Sequence, residues 1–172
     1  MRWLVDGYNV IRRDPDLRGE EAHGLEAGRR ALLGLLREAA ERSGDTFTVV
    51  FDGAPGPGAA SPAGQIQVVF SRPPENADDV LRRLAGQWRE AAVVVTSDRA
   101  VQGAARRLHC VVVGADEFVA ALGSGDGPAP GEGEELDDED ERRDADRKRG
   151  NPRRLSRDVY AARRVLRRLR GG

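Results

Sequence analysis

The sequence predicts an α/β fold built on a mostly parallel sheet of five strands, and three observations predict it. Short apolar runs alternate with helix-periodic segments over residues 1–122, the pattern that yields a parallel sheet with helices on both faces. One run, Ala91 to Val95, is almost uniformly apolar, as a strand covered on both faces has to be. Three runs end at or just before an aspartate, Asp6, Asp52 and Asp98, and α/β proteins keep their chemistry at that edge of the sheet.

The first strand starts at Arg2 and ends in Asp6-Gly7-Tyr8-Asn9, residues that equally suit a plain turn. Arg12 to Gly19, punctuated by Pro15, reads as a polar loop. A helix follows from about Glu20 to Arg42, in which Leu25, Arg29, Leu32, Leu33, Leu35, Leu36 and Ala39 mix an apolar stripe with a solvated one, and Ser43-Gly44 is its stop. Phe47 to Phe51 is β-branched and aromatic, a second strand closing on Asp52-Gly53. Residues 54–64, rich in Pro, Gly and Ala, form a loop. Gln65 to Phe70 is the third strand, and after Ser71 to Asn76 a helix begins near Ala77, carrying Val80, Leu81, Leu84, Ala85 and Trp88 at helical spacing. Asp78 and Asp79 therefore fall in its first turn. Beyond the fourth strand, Thr96-Ser97-Asp98 leads into a helix with Val101, Ala104, Ala105 and Leu108. Cys110 to Val113 is the fifth strand and Asp116 to Leu122 a short last helix.

Charge divides the chain further. Residues 1–125 hold 15 Arg against 17 acids, residues 126–146 hold 2 Arg against 11 acids, and residues 147–172 hold 11 Arg or Lys against 1 acid, so the formal net charge of -1 conceals opposing blocks. Residues 1–122 thus read as the folded domain and 123–150 as an acidic linker with too little apolar area to order itself. Residues 151–172 read as a basic amphipathic helix, with Ser156 as N-cap and Gly171-Gly172 as its end. Cys110 is the single cysteine, which excludes an intrachain disulfide and an all-cysteine metal site. No leader pattern and no run of 18 apolar residues is present, and a soluble cytoplasmic protein is the expectation.

Asp6, Asp52 and Asp98 at strand ends and Asp78 at a helix start are all expected at one edge of the sheet. Each alone could be a turn residue, an N-cap or a partner of the helix dipole. Together they would repel one another unless a cation neutralised them. An oxygen-only donor set selects Mg²⁺ or Mn²⁺, with His23 and His109 not expected as ligands. Such a site suits phosphodiester hydrolysis.

Asp6-Gly7-Tyr8-Asn9-Val10-Ile11, Phe51-Asp52-Gly53, Ala77-Asp78 and Val95-Thr96-Ser97-Asp98-Arg99-Ala100-Val101-Gln102 resemble the motifs of the YacP-like NYN family, a branch of the PIN-like nucleases with ribosome-associated mRNA endonucleases among its relatives. The likeness covers about residues 1–122. It implies a three-layer PIN-like domain and a metal-dependent endoribonuclease acting on RNA, ribosome-bound mRNA included. The resemblance implies Asp6 and Asp98 as direct metal ligands, Asp78 as a ligand or the group that orients the attacking water, and Asn9, Asp52, Ser97 and Thr96 in support. Gly7 would let the chain pass close to a phosphate, and Asp79 would face solvent. Arg153, Arg154, Arg157, Arg163, Arg164, Arg167 and Arg168 on the terminal helix would contact RNA phosphates, unless the helix simply docks on the domain with its arginines solvated. The acidic linker would fold over this helix when RNA is absent. A non-catalytic RNA- or ribosome-binding module is the competing reading. A small-molecule phosphatase is disfavoured, because no Asp-x-Asp pair follows the first strand.

Overall fold

The computed structural model describes residues 1–56, 64–123 and 157–170. Its centre is a five-stranded sheet with every pairing parallel. The strands are β1 (Arg2–Asp6), β2 (Thr46–Phe51), β3 (Ile66–Phe70), β4 (Ala92–Val95) and β5 (Val111–Val113), in the order β3-β2-β1-β4-β5. The chain steps outward from β1 to β3 and then returns to the other side of β1. The point where the direction reverses, between β1 and β4, is where open α/β sheets leave a crevice at the carboxyl ends of their strands.

Side-chain alternation along the strands builds two cores. Trp3, Val5, Phe47, Val49, Phe51, Val93, Val95 and Val113 face one way. They pack under α1 (Gly7–Arg13), α2 (Pro15–Glu21), α3 (Leu25–Ser43), α6 (Ala115–Gly123) and α7 (Arg157–Leu169). Leu4, Val50, Val94 and Val112 face the other way, against α4 (Ala77–Trp88) and α5 (Arg99–Arg107). The result is the three-layer arrangement expected of the sequence, since parallel strands need both faces covered.

The segment between β1 and α3 differs from the sequence expectation. Residues 12–19 are mostly helical, and the long helix expected over 20–42 is two helices. The cause is capping. Asp14 accepts a hydrogen bond from the Leu17 N–H at 2.7 Å, with Pro15 at the first helical position, and this pairing starts a helix where a loop was read from the proline. Gly24, at φ 127°, breaks the path between α2 and α3, a backbone conformation that only glycine adopts freely.

The terminal helix α7 docks on the domain: Ala162, Val165, Leu166 and Leu169 are buried in the same core as Trp3 and Phe118. Arg168 reaches to 3.7 Å from Asp45, a fully buried carboxylate that also accepts the Trp3 indole N–H at 2.9 Å. The linker, Ser156, Arg153, Arg154 and the final glycines lie outside the described residues. Among the described residues no helix is long and apolar enough to cross a membrane.

Candidate active site

The register of the sheet brings the strand-end acids together. Asp6 is the last residue of β1, level with Val50 of β2 and one place past the Val5–Val95 pair, so Asp52 and Asp98 emerge on either side of it, further along the same edge of the sheet. The N-terminus of α4 adds Asp78. An open cleft of about 330 Å³ is lined by Asp6, Tyr8, Asn9, Arg12, Asp52, Asn76, Ala77, Asp78 and Asp98. Five of the residues singled out in the sequence, Asp6, Asn9, Asp52, Asp78 and Asp98, share this wall. Thr96, Ser97 and Gly7 stand behind it, and the α7 arginines belong to a different surface.

Each carboxylate is fixed by local structure. Asp6 caps α1 by accepting the Asn9 N–H at 3.3 Å, and its second oxygen accepts the Thr96 hydroxyl at 3.0 Å. Asp98 caps α5, accepting the Ala100 and Val101 N–H groups at 2.8 and 2.9 Å. Capping and metal binding are therefore not alternatives here, because a carboxylate has four lone-pair sites and the caps use only some of them. Asp52 accepts from the Ser71 hydroxyl, which in turn accepts the Gly53 N–H at 3.2 Å.

In the first turn of α4 the two adjacent acids divide the work. Asp79 closes a capping box with Asn76, accepting its N–H at 3.3 Å while Asn76 accepts the Asp79 N–H at 2.9 Å. Asp79 also pairs with Arg82 at 3.2 Å, so its solvent-facing carboxylate serves the helix start and stays off the cleft wall. Asp78 lines the cleft, with Arg82 at 3.5 Å on its outer side.

Thr96, fully buried, ties the two central acids together: its hydroxyl donates to Asp6 and accepts the Asp98 N–H at 3.1 Å. Its carbonyl accepts the Gln102 amide at 2.8 Å. Asn9 Oδ1 accepts the Ser97 N–H at 2.8 Å, leaving the Asn9 NH₂ without a protein partner among the described residues, while Ser97 Oγ accepts the Ala115 N–H at 3.1 Å and so braces α6. Thr96→Val would strand a buried acceptor and a buried donor, a loss of about 2 kcal/mol or more, or roughly 6 °C in melting temperature. Because the Thr96 hydrogen bond holds the Asp6 pKa down, the acid limb of any activity profile should also move to higher pH. Thr96→Ser should restore both.

The electrostatics suit a cation. Burial raises the Asp6 pKa above the usual carboxylate value, with Asp78 and Asp98 adding repulsion against the lowering by Thr96 and Asn9. Asp78 is raised by burial first and then by Asp98. A divalent ion would remove both burdens. Among the described residues no three His, Cys, Asp or Glu side chains form a ready-made metal cage. The donor set still fits Mg²⁺ or Mn²⁺, since Mg²⁺ ordinarily takes one or two carboxylates, several waters and substrate phosphate oxygens.

Sequence reading missed Tyr8, Arg12 and Asn76. Tyr8 is held at its hydroxyl by Arg29 and packs edge-on against Phe51 at 5.2 Å, and the Arg12 guanidinium lies 5.7 Å over its ring. Arg29 itself is buried between Tyr8, Phe51 and Phe70, bound to Glu26, whose Oε1 also accepts the Gly56 N–H at 3.0 Å. The signal was present: once Gly7 starts a helix, Tyr8 and Arg12 are one turn apart on one face.

The model of the YacP-like NYN domain matches residues 3–166. The chain belongs to that family. Its match extends beyond residue 122, so the linker and most of α7 fall within the region described by the family. The uncharacterized protein YacP of Bacillus subtilis (strain 168) is 32% identical to this NYN domain protein over 106 residues, 59% of this chain. That stretch spans 62% of the relative's own length. Two crystal structures of Rae1 (YacP) from Bacillus subtilis align with TM-scores of 0.62 and 0.61 at 28% and 27% identity. The second is a single-residue mutant; each alignment covers 71% of this chain, and 73% and 74% of the respective solved chains. The NYN chain thus has a nuclease-like fold of the YacP type.

Proposed function

We propose that the cleft is the active centre of a divalent-metal-dependent endoribonuclease. The observation that carries this reading is the convergence of Asp6, Asp52, Asp78 and Asp98 from four separate elements on one cleft, with the pKa of the most buried of them raised. Mg²⁺ or Mn²⁺ bound there would activate water and offset charge on the phosphate oxygens. Asp6 and Asp98 are the residues assigned to hold the ion, Asp78 to hold it or to orient the attacking water, and Asp52 is the fourth candidate ligand. The Asn9 NH₂ is free to donate to a phosphate oxygen. Membership of the YacP-like NYN family supports RNA as the substrate, with ribosome-bound mRNA the natural form to test first. The exposed arginines of α7, Arg157, Arg163, Arg164, Arg167 and Arg168, extend the phosphate-binding surface.

Arg12 is the sole cation lining the cleft and joins no ion pair among the described residues. It lies over the Tyr8 ring, and we assign it to bind a phosphate of the substrate. Arg12→Ala should raise the RNA concentration at half-maximal rate about tenfold and lower the log–log salt slope of binding by about 0.7, the value for one lost contact on a single strand. Steady-state kinetics at several KCl concentrations check this.

The reading is tested with end-labelled RNA and Mn²⁺, with and without ribosomes, using the wild-type chain and Asp98→Asn. Internal cuts by the wild type alone support it. Equal cutting by both would place the activity elsewhere, and cutting by neither, ribosomes included, would favour a non-catalytic RNA- or ribosome-binding module.

A further inference from the structure

On α7 the buried residues Ala162, Val165, Leu166 and Leu169 occupy one side. At 100° per residue the opposite side carries Tyr160, Arg163, Arg164 and Arg167. Tyr160 is 57% exposed, and the three arginines are exposed and join no ion pair among the described residues. A large aromatic left on the surface at the head of a cationic stripe is the composition of a single-strand nucleic-acid platform, where the cations track phosphates and the ring stacks a base. Arginines merely solvated for solubility would not require the tyrosine.

The placement of the helix adds direction. Its first turn adjoins Gln102 and Gly114 across a cavity of about 480 Å³, with Asp158 at 4.0 Å from Arg106. Val112 and Gly114 also line this cavity, so this end of α7 lies beside β5, the outer strand of the sheet. The other end lies near Asp45 at the amino end of β2. The stripe therefore runs from the β5 side of the sheet toward the amino end of β2, roughly 20 Å for 13 residues.

We propose that the outward face of α7 is a track for single-stranded RNA, in which Tyr160 stacks an unpaired base while Arg163, Arg164 and Arg167 bind the flanking phosphates. The proposal rests on RNA being the substrate of the cleft. It adds that the RNA is unpaired where it crosses α7, because a duplex keeps its bases stacked on one another and offers no face to Tyr160.

The test is fluorescence anisotropy of a labelled 20-nucleotide single strand and of the same sequence as a duplex, with the full chain in chelator so that nothing is cut, across a KCl series. Tyr160→Ala is expected to weaken single-strand binding about tenfold with an unchanged salt slope and to leave duplex binding alone. Tyr160→Phe is expected to bind as the wild type. Arg164→Gln with Arg167→Gln should lower the slope by about 1.4. Melting temperatures, expected to be unchanged for these exposed sites, separate binding from folding. If the wild type cuts RNA with Mn²⁺ while Tyr160→Ala and the double arginine variant bind as the wild type does, the track is overturned and the nuclease reading stands. If the variants lose binding as stated while the wild type never cuts, the nuclease reading falls and the track stands.

Discussion

Asp6→Asn is expected to slow metal-dependent RNA cleavage by at least about 10³-fold, comparable to removing one key charge-stabilising group from an enzyme site, without unfolding the protein. Asp6 sits at the centre of the cleft edge, between the ends of β2 and β4, and asparagine keeps an acceptor for Thr96 or for the Asn9 N–H while removing the charge. The pH dependence has two opposite signs. With Asp6 in its proposed role as a metal ligand, a raised pKa should make activity fall, as pH is lowered, at a higher pH than an ordinary carboxylate would give. Stability runs the other way: a carboxyl whose folded pKa lies above its unfolded value contributes stability below the unfolded value, and this is lost as pH rises through the folded one. At neutral pH the metal-free wild type therefore carries a buried charge that Asp6→Asn removes. The wild type should lose melting temperature between pH 4 and neutrality relative to Asp6→Asn, and added Mn²⁺ should raise the melting temperature of the wild type but scarcely that of the variant. Rates and melting curves on the same samples decide both points.

Gly7→Ala should be the most damaging single-methyl addition near the site. A Cβ at residue 7 would lie 2.2 Å from Phe51 Cε1 and 2.5 Å from Cδ1. The Phe51 ring has nowhere to go, being fully buried between Tyr8 at 5.2 Å and Phe70 at 5.9 Å with Arg29 over its face. Overpacking of this kind costs about 3 kcal/mol, or roughly 6–12 °C in melting temperature, and the displaced residue lies between Asp6 and Tyr8, so cleavage should fall with it. In Gly7→Ala with Phe51→Leu the smaller side chain opens room, and the loss should be less than the sum of the single losses. Strict additivity would mean that the Phe51 contact is not the reason for glycine. The packing gives Gly7 a role that holds before any substrate arrives.

The fold was largely legible because its strands are short apolar runs with sharp polar ends, and continuous burial on both faces of a parallel sheet leaves little freedom in how such runs are used. Asp6, Asp52 and Asp98 were legible for the same reason: their places follow from where strands stop. Tyr8 and Arg12 were not, since their partnership exists only if α1 is a helix, and the Asp6 cap that starts it looks in sequence like a turn. Pro15 read as a loop when it was the first residue of α2 behind the Asp14 cap. Arg29 was read as part of a mixed helical stripe, and nothing local announces that Tyr8, Phe51 and Phe70, distant in sequence, enclose it. The apolar stripe of α7 was visible, but which surface it would cover was a tertiary fact. Its use of Val165, Leu166 and Leu169 against the α3 and α6 side of the sheet leaves the arginines and Tyr160 facing outward.

The most direct measurement is the rate of single-stranded RNA cleavage as a function of Mn²⁺ concentration for the wild type and Asp98→Asn, with a chelator blank for each. The carboxylate-centred account predicts a saturable Mn²⁺ dependence for the wild type, no cleavage in chelator, and a rate at least about 10³-fold lower for Asp98→Asn at every metal concentration. Wild-type cleavage that persists in chelator, or an Asp98→Asn titration that overlays the wild type, would contradict it.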